Sequence, residues 1–538
     1  MSAATRLRRD DENAQIIVVE RGPYVSFANC GLPYHIGGVI REREALVLQT
    51  PESLAARFGL DVRVRHEAVA IDRVARCLTV RDLDTGQTEQ LAYDALVLAT
   101  GAAPMVPAIP GSSRALVLRD ISDMTAIQSA VDDGARSAVV LGGGFVGLEL
   151  AENLTAREVE VTVVELADQV LPPLDPELAE VVAQRLAEAG VRLRTGQAAA
   201  AIHAGQVELT DGSLLPTDLV VSAIGVRPES TLARDAGLAI GQRGGIVVDA
   251  QQRTSDPAIF AVGDVAEKRD AVGGGPTLVP LAQSANRHGR LVADVIAGRQ
   301  TSSLPVLGTA IVAVFGLNAA TVGWSERRLR AAGRPVRVIH THPLSHAGYY
   351  PGAQQMALKL MIDPETDQIL GAQAVGGEGV DKRIDVLATA MRAGLTGSQL
   401  ADLELAYAPQ FGSAKDPINM LGYIADNLAT GATQTVQWHE LADEVEAGAL
   451  VLDVRSAGER RAGSIPGSVS IPLHRLRERH RELAGWRLVV HCEVGLRAHN
   501  AVLLLRQLGH DAVNLDGGYR TWAAGIHSRD RLLRDEAA

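Results

Sequence analysis

The sequence predicts an α/β chain: doubly wound parallel sheets first, then an α+β domain, then a short α/β module at the C-terminal end. Three observations carry this expectation. Strand-like apolar runs alternate with helical patterns as far as about Pro305, the order expected of parallel sheets joined by helical crossovers. Beyond Pro305 strand-like runs follow one another before a helix begins, the texture of an antiparallel sheet with its helix segregated. The chain of 538 residues is also too long for one hydrophobic core, so three or four domains are expected.

In chain order the first strand runs are AQIIVVE (14–20), DALVLAT (94–100), SAVVLGG (137–143), VEVTVVE (159–165) and DLVVSAIG (218–225). Between them a helix is predicted from Pro176 to Gly190, where Leu178, Val181, Val182, Leu186 and Ala189 share one face. The second texture comprises TAIVAVFGLNAATVGWSE, VRVIHTHPL, MALKLMID and ILGAQAVG, then a helix from about Lys382 to Ala393. The small, polar stretch LATGATQTVQ (428–437) reads as a linker, and the last module begins at Trp438.

Composition narrows the function. Hydrophobic residues make up 46% and charged residues 22%, as in folded globular protein, while aromatics at 3% leave the cores to Ala, Val, Leu and Ile. A net charge of −12 argues against nucleic acid as a partner. The three cysteines, Cys30, Cys77 and Cys492, are too dispersed for a disulfide framework and suit a reducing cytoplasm. MSAATRLRRDDENA has no apolar signal-peptide core, and no segment reaches the ~18 apolar residues of a membrane span. The 14 histidines show no metal-ligand spacing, so no metal is expected. Cys77, in VARCLTVRD, reads as a core or strand cysteine.

The strongest motif is Gly142-Gly143-Gly144-Phe145-Val146-Gly147, a G-x-G-x-x-G turn between the strand SAVVL and the helix LELAENL. Gly142, Gly144 and Gly147 let the turn close and let a pyrophosphate approach the backbone at a helix N-terminus. Glu165 ends the next strand, 18 residues beyond Gly147, where a carboxylate accepts hydrogen bonds from an adenosine ribose. That acid repels a 2′-phosphate, and Leu166-Ala167 supply no Arg, so NADH is favoured while NADPH stays open. A Rossmann-like NAD domain is expected here.

A second nucleotide site is pieced together from AQIIVVE, which ends in Glu20, from Thr100-Gly101 after the strand DALVLA, and from Gly263-Asp264 in TSDPAIFAVGDV. In this order around the NAD motif, these segments resemble the flavoprotein disulfide reductases with two dinucleotide domains. The resemblance implies FAD, contacted by Glu20, Arg21, Ser26, Asn29, Thr100, Gly101, Gly263 and Asp264, with the Gly-Asp pair holding its ribityl-phosphate part.

Cys30 lies in SFANCGLPYHIGG, and a helix start close behind it is expected to lower its pKa. A lone cysteine is ordinarily an inert hydrophobe. S-F-x-N-C-G-L-P-Y, however, closely resembles the coenzyme A-disulfide reductase family. The resemblance implies that one cysteine beside the flavin alternates between thiolate and mixed disulfide, where other disulfide reductases use a C-x4-C pair. It extends to HAGYYPGA and LAYAPQFGSAKDPINMLGY, in which Tyr349 and Tyr407 match two tyrosines that the partner subunit supplies in that family. A phenol there can hydrogen-bond a leaving thiolate or donate a proton to it. A homodimer is implied. Lys382 and Arg383, in GVDKRIDV, are candidates for coenzyme A phosphates, or for a solvated helix start.

The last hundred or so residues resemble a rhodanese domain. LVLDVRSAGERRAGSIPGSVSIPL carries Asp453, Arg455 and Glu459, of which Asp453 and Arg455 are candidates for binding substrate, and RLVVHCEVGLRAHNAVLLL and DGGYRTWAAG follow. Cys492 to Arg497 form a C-x4-R loop between strand and helix, where backbone N–H groups, the helix dipole and Arg497 stabilise a thiolate or persulfide. Glu493 places an acid in this anion-binding loop and speaks against free thiosulfate as a substrate.

The expected organisation is an FAD domain from 1–111 and 245–304, an NAD domain at 112–244, a dimerisation domain at 305–428, a linker at 429–437 and the rhodanese module at 438–530. Family members open with an apolar strand and a Gly-rich turn that this sequence lacks, since MSAATRLRR matches the helix behind them. A start assigned late, at an internal Met, is favoured over a truncated form with impaired flavin binding, because every later element is intact. The expected activity is electron transfer from NADH through FAD and Cys30 to coenzyme A persulfide, polysulfide or coenzyme A disulfide, with Cys492 carrying sulfane sulfur. The alternatives are an NADH oxidase and a flavin-deficient sulfur carrier.

Overall fold

In the computed structural model the chain forms two compact units, Met1–Val164 with Gln197–Gly308, and Glu165–Gly196 with Thr309–Ala538. The structure describes residues 1–537, with side chains described through 531.

The first unit opens with the helix Ser2–Asp10. Its buried Arg8 donates to the carbonyls of Phe58 (2.7 Å) and Glu12 (2.6 Å), and Arg6 pairs with Asp294 at 2.9 Å on the helix Ala282–Ile296. Strand Ile17–Glu20 pairs in parallel with Asp61–Val64, and Leu96–Leu98 pairs in parallel with Ile259–Ala261. A three-stranded antiparallel sheet, His66–Asp72, Cys77–Asp82 and Thr88–Ala92, lies between them in sequence. A parallel sheet carries the Gly142–Gly147 motif. Leu116–Val117, Leu219–Ser222, Ser137–Leu141 and Glu160–Val164 follow in that order, and Ala138 to Leu141 and Val161 to Val164 are buried. The helix Ile121–Asp132 starts on a capping box in which Asp120 accepts from the backbone N–H groups of Ser122 and Asp123.

The second unit holds an antiparallel sheet in the order Ala310–Val314, Leu317–Gly323, Ile369–Gly376, Met356–Ile362, Arg337–Thr341. Its central strand Ile369–Gly376 is buried throughout, and the helix Val380–Ala393 turns Val380, Ile384 and Leu387 inward. The same unit contains a parallel sheet in the order Thr435–Val436, Asp511–Leu515, Arg487–His491, Leu450–Asp453, Val469–Ser470. The stretch 429–437, expected as a linker, ends in the strand Thr435–Val436 and in buried Gln437. Residues 165–196, expected inside a domain at 112–244, group with the second unit.

Asp175 and Glu177 take part in a buried ionic cluster of the second unit. Lys359 is 0% exposed, and its ammonium donates to Glu177 (2.6 Å) and Glu326 (2.7 Å) and lies 2.9 Å from Asp175. His340 bridges Glu177 at 3.0 Å and Asp516 at 2.8 Å, and Asp516 also accepts from Gln437 at 3.2 Å. The carboxylates hold His340 up at about 9 against the opposing effect of burial. Glu177, despite burial, is held down to about 2 by Lys359 and His340. Among the described residues, Asp175, Glu177 and Glu326 are the one set of three acids close enough to share a cation, and the Lys359 ammonium sits among them. Also among the described residues, no helix is long and apolar enough to cross a membrane.

Candidate active site

The Gly142–Gly147 turn joins strand Ser137–Leu141 to helix Phe145–Thr155. Gly142 has φ +107°, and a Cβ there would strike the Ala223 carbonyl. A Cβ on Gly147 would collide with the Gly142 carbonyl oxygen, so helix and turn pack closer than any side chain permits. Gly144 is the N-cap, with no side chain capping the helix, and a Cβ placed on it would meet nothing. These features fit a pyrophosphate: a close backbone approach, with no capping side chain, at the positive end of an 11-residue helix. Glu165 directly follows strand Glu160–Val164, and its Oε1 accepts from the backbone N–H of Ala167 at 2.8 Å.

Cys30 sits in the turn Asn29–Gly31 between the short strand Ser26–Phe27 and the helix Leu32–Ile36. Cys30 is an exposed residue of the turn, and Asn29 Oδ1 accepts from its backbone N–H at 3.0 Å. Tyr34, one helical turn on, donates to Glu149 Oε1 at 3.1 Å. The expected lowering of the Cys30 pKa is corrected here. Desolvation raises it, and the charges of Glu149 and then Asp264 raise it further. A helix of five residues is too weak a dipole to offset two carboxylates. Tyr34 is pushed up to about 12 by burial and by Glu149.

Around this turn, Gly263-Asp264 begins a single helical turn ending at Val265. Buried Lys268 grips it, donating to the carbonyls of Gly263 (2.6 Å) and Ala266 (3.0 Å). Burial pulls Lys268 down to about 8, and burial pushes Asp264 up. Thr100 Oγ1 donates to the Glu229 carbonyl at 2.7 Å, and Glu20 Oε1 accepts from the Gly22 N–H at 2.6 Å. Arg21 is exposed, with Glu67 3.7 Å away. A rigidly held Gly-Asp turn with a half-buried acid, beside a helix (Ala282–Ile296) lacking a side-chain cap, is a donor and acceptor set that fits the polar chain of FAD.

In the second unit the hydroxyls of Tyr349 and Tyr407 lie 3.0 Å apart on exposed side chains. That hydrogen bond raises the Tyr349 pKa. Arg383 is corrected as a phosphate ligand. It is 1% exposed, and its guanidinium is taken by Asp416 (2.9 Å) and the Ser345 carbonyl (2.9 Å). Lys382 stays partly exposed, 3.6 Å from Asp416.

Cys492 directly follows strand Arg487–His491 and precedes helix Leu496–Gln507, whose N-cap Gly495 offers no capping side chain. The thiol is 0% exposed. The segment after strand Asp511–Leu515 closes over it. Gly518, at φ +66°, packs so tightly that a Cβ would lie 2.7 Å from the Cys492 carbonyl oxygen, which accepts from the Tyr519 N–H at 2.8 Å. Arg497 pairs with Glu459, one contact at 3.0 Å, and also faces Cys492. Asp453 and Arg455, expected to bind substrate, are both buried beneath the loop. They pair with each other at 3.0 Å, and Arg455 stacks on Tyr519 at 4.2 Å. Arg455 Nη1 reaches Glu493 Oε2 at 3.0 Å.

A family model described as pyridine nucleotide-disulphide oxidoreductase matches residues 1–290, and that family's dimerisation domain matches 309–416. The chain belongs to the pyridine nucleotide-disulphide oxidoreductase family. Residues 437–525 match a rhodanese-like domain. Coenzyme A disulfide reductase of Staphylococcus haemolyticus is 32% identical over 429 residues, covering 79% of this chain and 97% of that protein. The crystal structure of reduced Bacillus anthracis CoADR-RHD superposes with a TM-score of 0.96 at 45% identity, over 98% of this chain and 96% of the other. The NAD-dependent persulfide reductase from A. fulgidus follows with 0.91 and 37%, over 97% of each chain.

For this oxidoreductase, sequence reasoning missed Glu149, Tyr34 and Lys268. Glu149 sits on the helix that the glycine turn opens, so the first turn of LELAENL was the available signal. Lys268 had none, because nothing local marks a lysine as buried.

Proposed function

We propose that the chain is an NADH- and FAD-dependent reductase of sulfur–sulfur bonds, acting through Cys30 on coenzyme A persulfide, polysulfide or coenzyme A disulfide. The observation that carries this reading is a single reactive-type thiol, Cys30, set among the flavin-type loops with Glu149 and Tyr34, on the same chain as the Cys492 loop. The nicotinamide cofactor belongs at Gly142, Gly144 and Gly147 with Glu165. FAD belongs with Glu20, Arg21, Ser26, Asn29, Thr100, Gly101, Gly263 and Asp264, in a domain formed by 1–111 and 245–304. When bound, FAD supplies the two-electron relay between dihydronicotinamide and thiol.

The thiolate of Cys30 attacks the substrate's sulfur–sulfur bond. A mixed disulfide forms on Cys30 and a thiol or hydrosulfide leaves. Carboxylates beside Cys30 disfavour its thiolate at rest, which ties nucleophilicity to whatever neutralises Glu149 and Asp264. The Tyr349–Tyr407 pair supplies a proton to the leaving sulfur, and in a homodimer the partner subunit contributes it. Cys492 holds sulfane sulfur as a persulfide. Three free cysteines accord with a reducing cytoplasm.

The test follows NADH consumption by flavin-loaded protein with each of the three substrates, in wild type, Cys30→Ser and Cys492→Ser. Turnover lost with Cys30→Ser while flavin is retained supports the reading. Turnover unchanged in Cys30→Ser overturns it.

A further inference from the structure

The guanidinium groups around the Cys492 loop are occupied by the protein's own carboxylates. Arg455 gives Nε and Nη2 to Asp453 and Nη1 to Glu493 at 3.0 Å. Arg520 Nε lies 3.7 Å from the other oxygen of Glu493, and Arg520 N–H donates to the Glu493 carbonyl at 3.0 Å. Arg497 is taken up by Glu459. Arg460 goes to Asp453 and Ser468. Glu493 is the one carboxylate on the loop itself, next in sequence to the nucleophile, and its two oxygens face two different guanidiniums.

A small oxyanion donor such as thiosulfate brings two negative charges to within a bond or two of the transferring sulfur. At this loop it would meet the Glu493 carboxylate and find the nearest cations already paired. Repulsion built against one ligand class is a means of specificity in its own right. An organic persulfide presents its sulfane sulfur at the end of a chain, with any phosphate or carboxylate charge many bonds away.

We infer that Glu493 is the specificity residue of the Cys492 loop, standing in the anion position and directing the loop to organic persulfides over small dianionic donors. This rests on the reading of Cys492 as a sulfur carrier. With a persulfide donor, the Cys492 thiolate attacks the outer sulfur. The donor S–S bond breaks, the donor thiolate leaves with the electron pair, and the outer sulfur keeps its proton on Cys492. With thiosulfate the same attack releases sulfite. Cyanide then takes the sulfane sulfur as thiocyanate and returns the Cys492 thiolate, with no outside oxidant or reductant.

The experiment uses the full-length protein and measures sulfur transfer to cyanide from thiosulfate and from coenzyme A persulfide, with Cys492 loading read by mass spectrometry. Wild type, Glu493→Gln, Glu493→Ala and Glu493→Asp are compared. The expected result is that Glu493→Gln and Glu493→Ala raise the thiosulfate-to-persulfide ratio of kcat/KM at least tenfold. The gain should lie in a lower KM for thiosulfate, and Glu493→Asp should restore the wild-type preference. An unchanged ratio in Gln and Ala variants that still load from coenzyme A persulfide overturns the role of Glu493 and leaves the carrier intact. A thiosulfate gain in Glu493→Asp equal to that in Glu493→Gln also overturns it, since loop disturbance and not charge would then be responsible. If no donor loads Cys492 in any variant, the carrier reading fails and the specificity assignment falls with it.

Discussion

Replacing Lys359 by Met tests whether the buried ionic cluster holds the second unit together. Lys359 Nζ lies within 2.9 Å of Asp175, Glu177 and Glu326, and the three acids and the lysine are all buried. Met fills much the same volume and leaves the carboxylates facing one another. His340 and the Arg330–Glu326 pair, at 2.6 Å, compensate only in part. Breaking a buried ion pair by removing one partner costs about 3–5 kcal/mol. At roughly 2–4 °C per kcal/mol for a unit of this size, the melting midpoint falls by about 6–20 °C.

The tryptophans make the assay specific: all four, Trp324, Trp438, Trp486 and Trp522, lie in the second unit, so their fluorescence follows its unfolding. The pH dependence has a definite sign. Glu177, held down to about 2 from 4.5, contributes stability that is present above its unfolded value and lost as pH falls through 2. His340, held up at about 9 from 6.5, contributes stability that is full below its unfolded value and lost as pH rises through 9. Without Lys359 the acids take up protons at higher pH, so the deficit of Lys359→Met is largest near neutrality and narrows toward pH 4–5. A loss below about 1 kcal/mol, or an equal loss at pH 5 and pH 7, refutes the argument.

Two further outcomes follow from the first unit. Gly147→Ala forces a methyl against the Gly142 carbonyl; the overpacking of about 1–3 kcal/mol displaces the turn and raises KM for NADH at least about fivefold with flavin content retained, and an unchanged KM counts against the turn. Glu149→Gln removes the larger of the two charges that raise the Cys30 pKa, so its alkylation by iodoacetamide, followed by mass spectrometry, sets in at lower pH than in wild type; an unmoved or higher midpoint removes Glu149 from the thiol's environment.

What could be read in the sequence was what is written locally. The strands near residues 137 and 159, the glycine turn, and Cys30 and Cys492 each depend on a dozen or so neighbouring residues, and hydrophobic periodicity with glycine spacing reports that directly. The Lys359 cluster is assembled from positions 175, 177, 326, 340 and 516, each an ordinary polar residue in its own segment. Nothing in MALKLMID distinguishes a lysine that will be buried from one at an edge. The direction of the Cys30 shift is hidden from the sequence for the same reason: the helix start is local, while Glu149 and Asp264 arrive from 119 and 234 residues away in the chain. Asp453 and Arg455 look like ligands in sequence because ion-pairing residues and substrate-binding residues share a composition, and only burial separates them.

The cluster also bears on how Cys492 works. Asp516, which binds His340 of the antiparallel sheet, is followed by Gly517 and by Gly518, the residue packed on the Cys492 carbonyl. Gln437, at the end of the expected linker, donates to the carbonyl of Val338 on the same sheet at 3.2 Å and to Asp516. Two buried polar contacts thus tie the segment covering Cys492 to the antiparallel sheet, one strand away from Lys359 and its acids. A flexible tether would have left those groups in water, where an exposed pair contributes at most about 1 kcal/mol. Burying them instead makes any displacement of the module leave charges without partners, at several kcal/mol each. The segment over Cys492 is therefore held to this sheet by buried contacts. On the proposed reading, sulfur comes to Cys492, and the choice among donors rests with the charges that line its own loop.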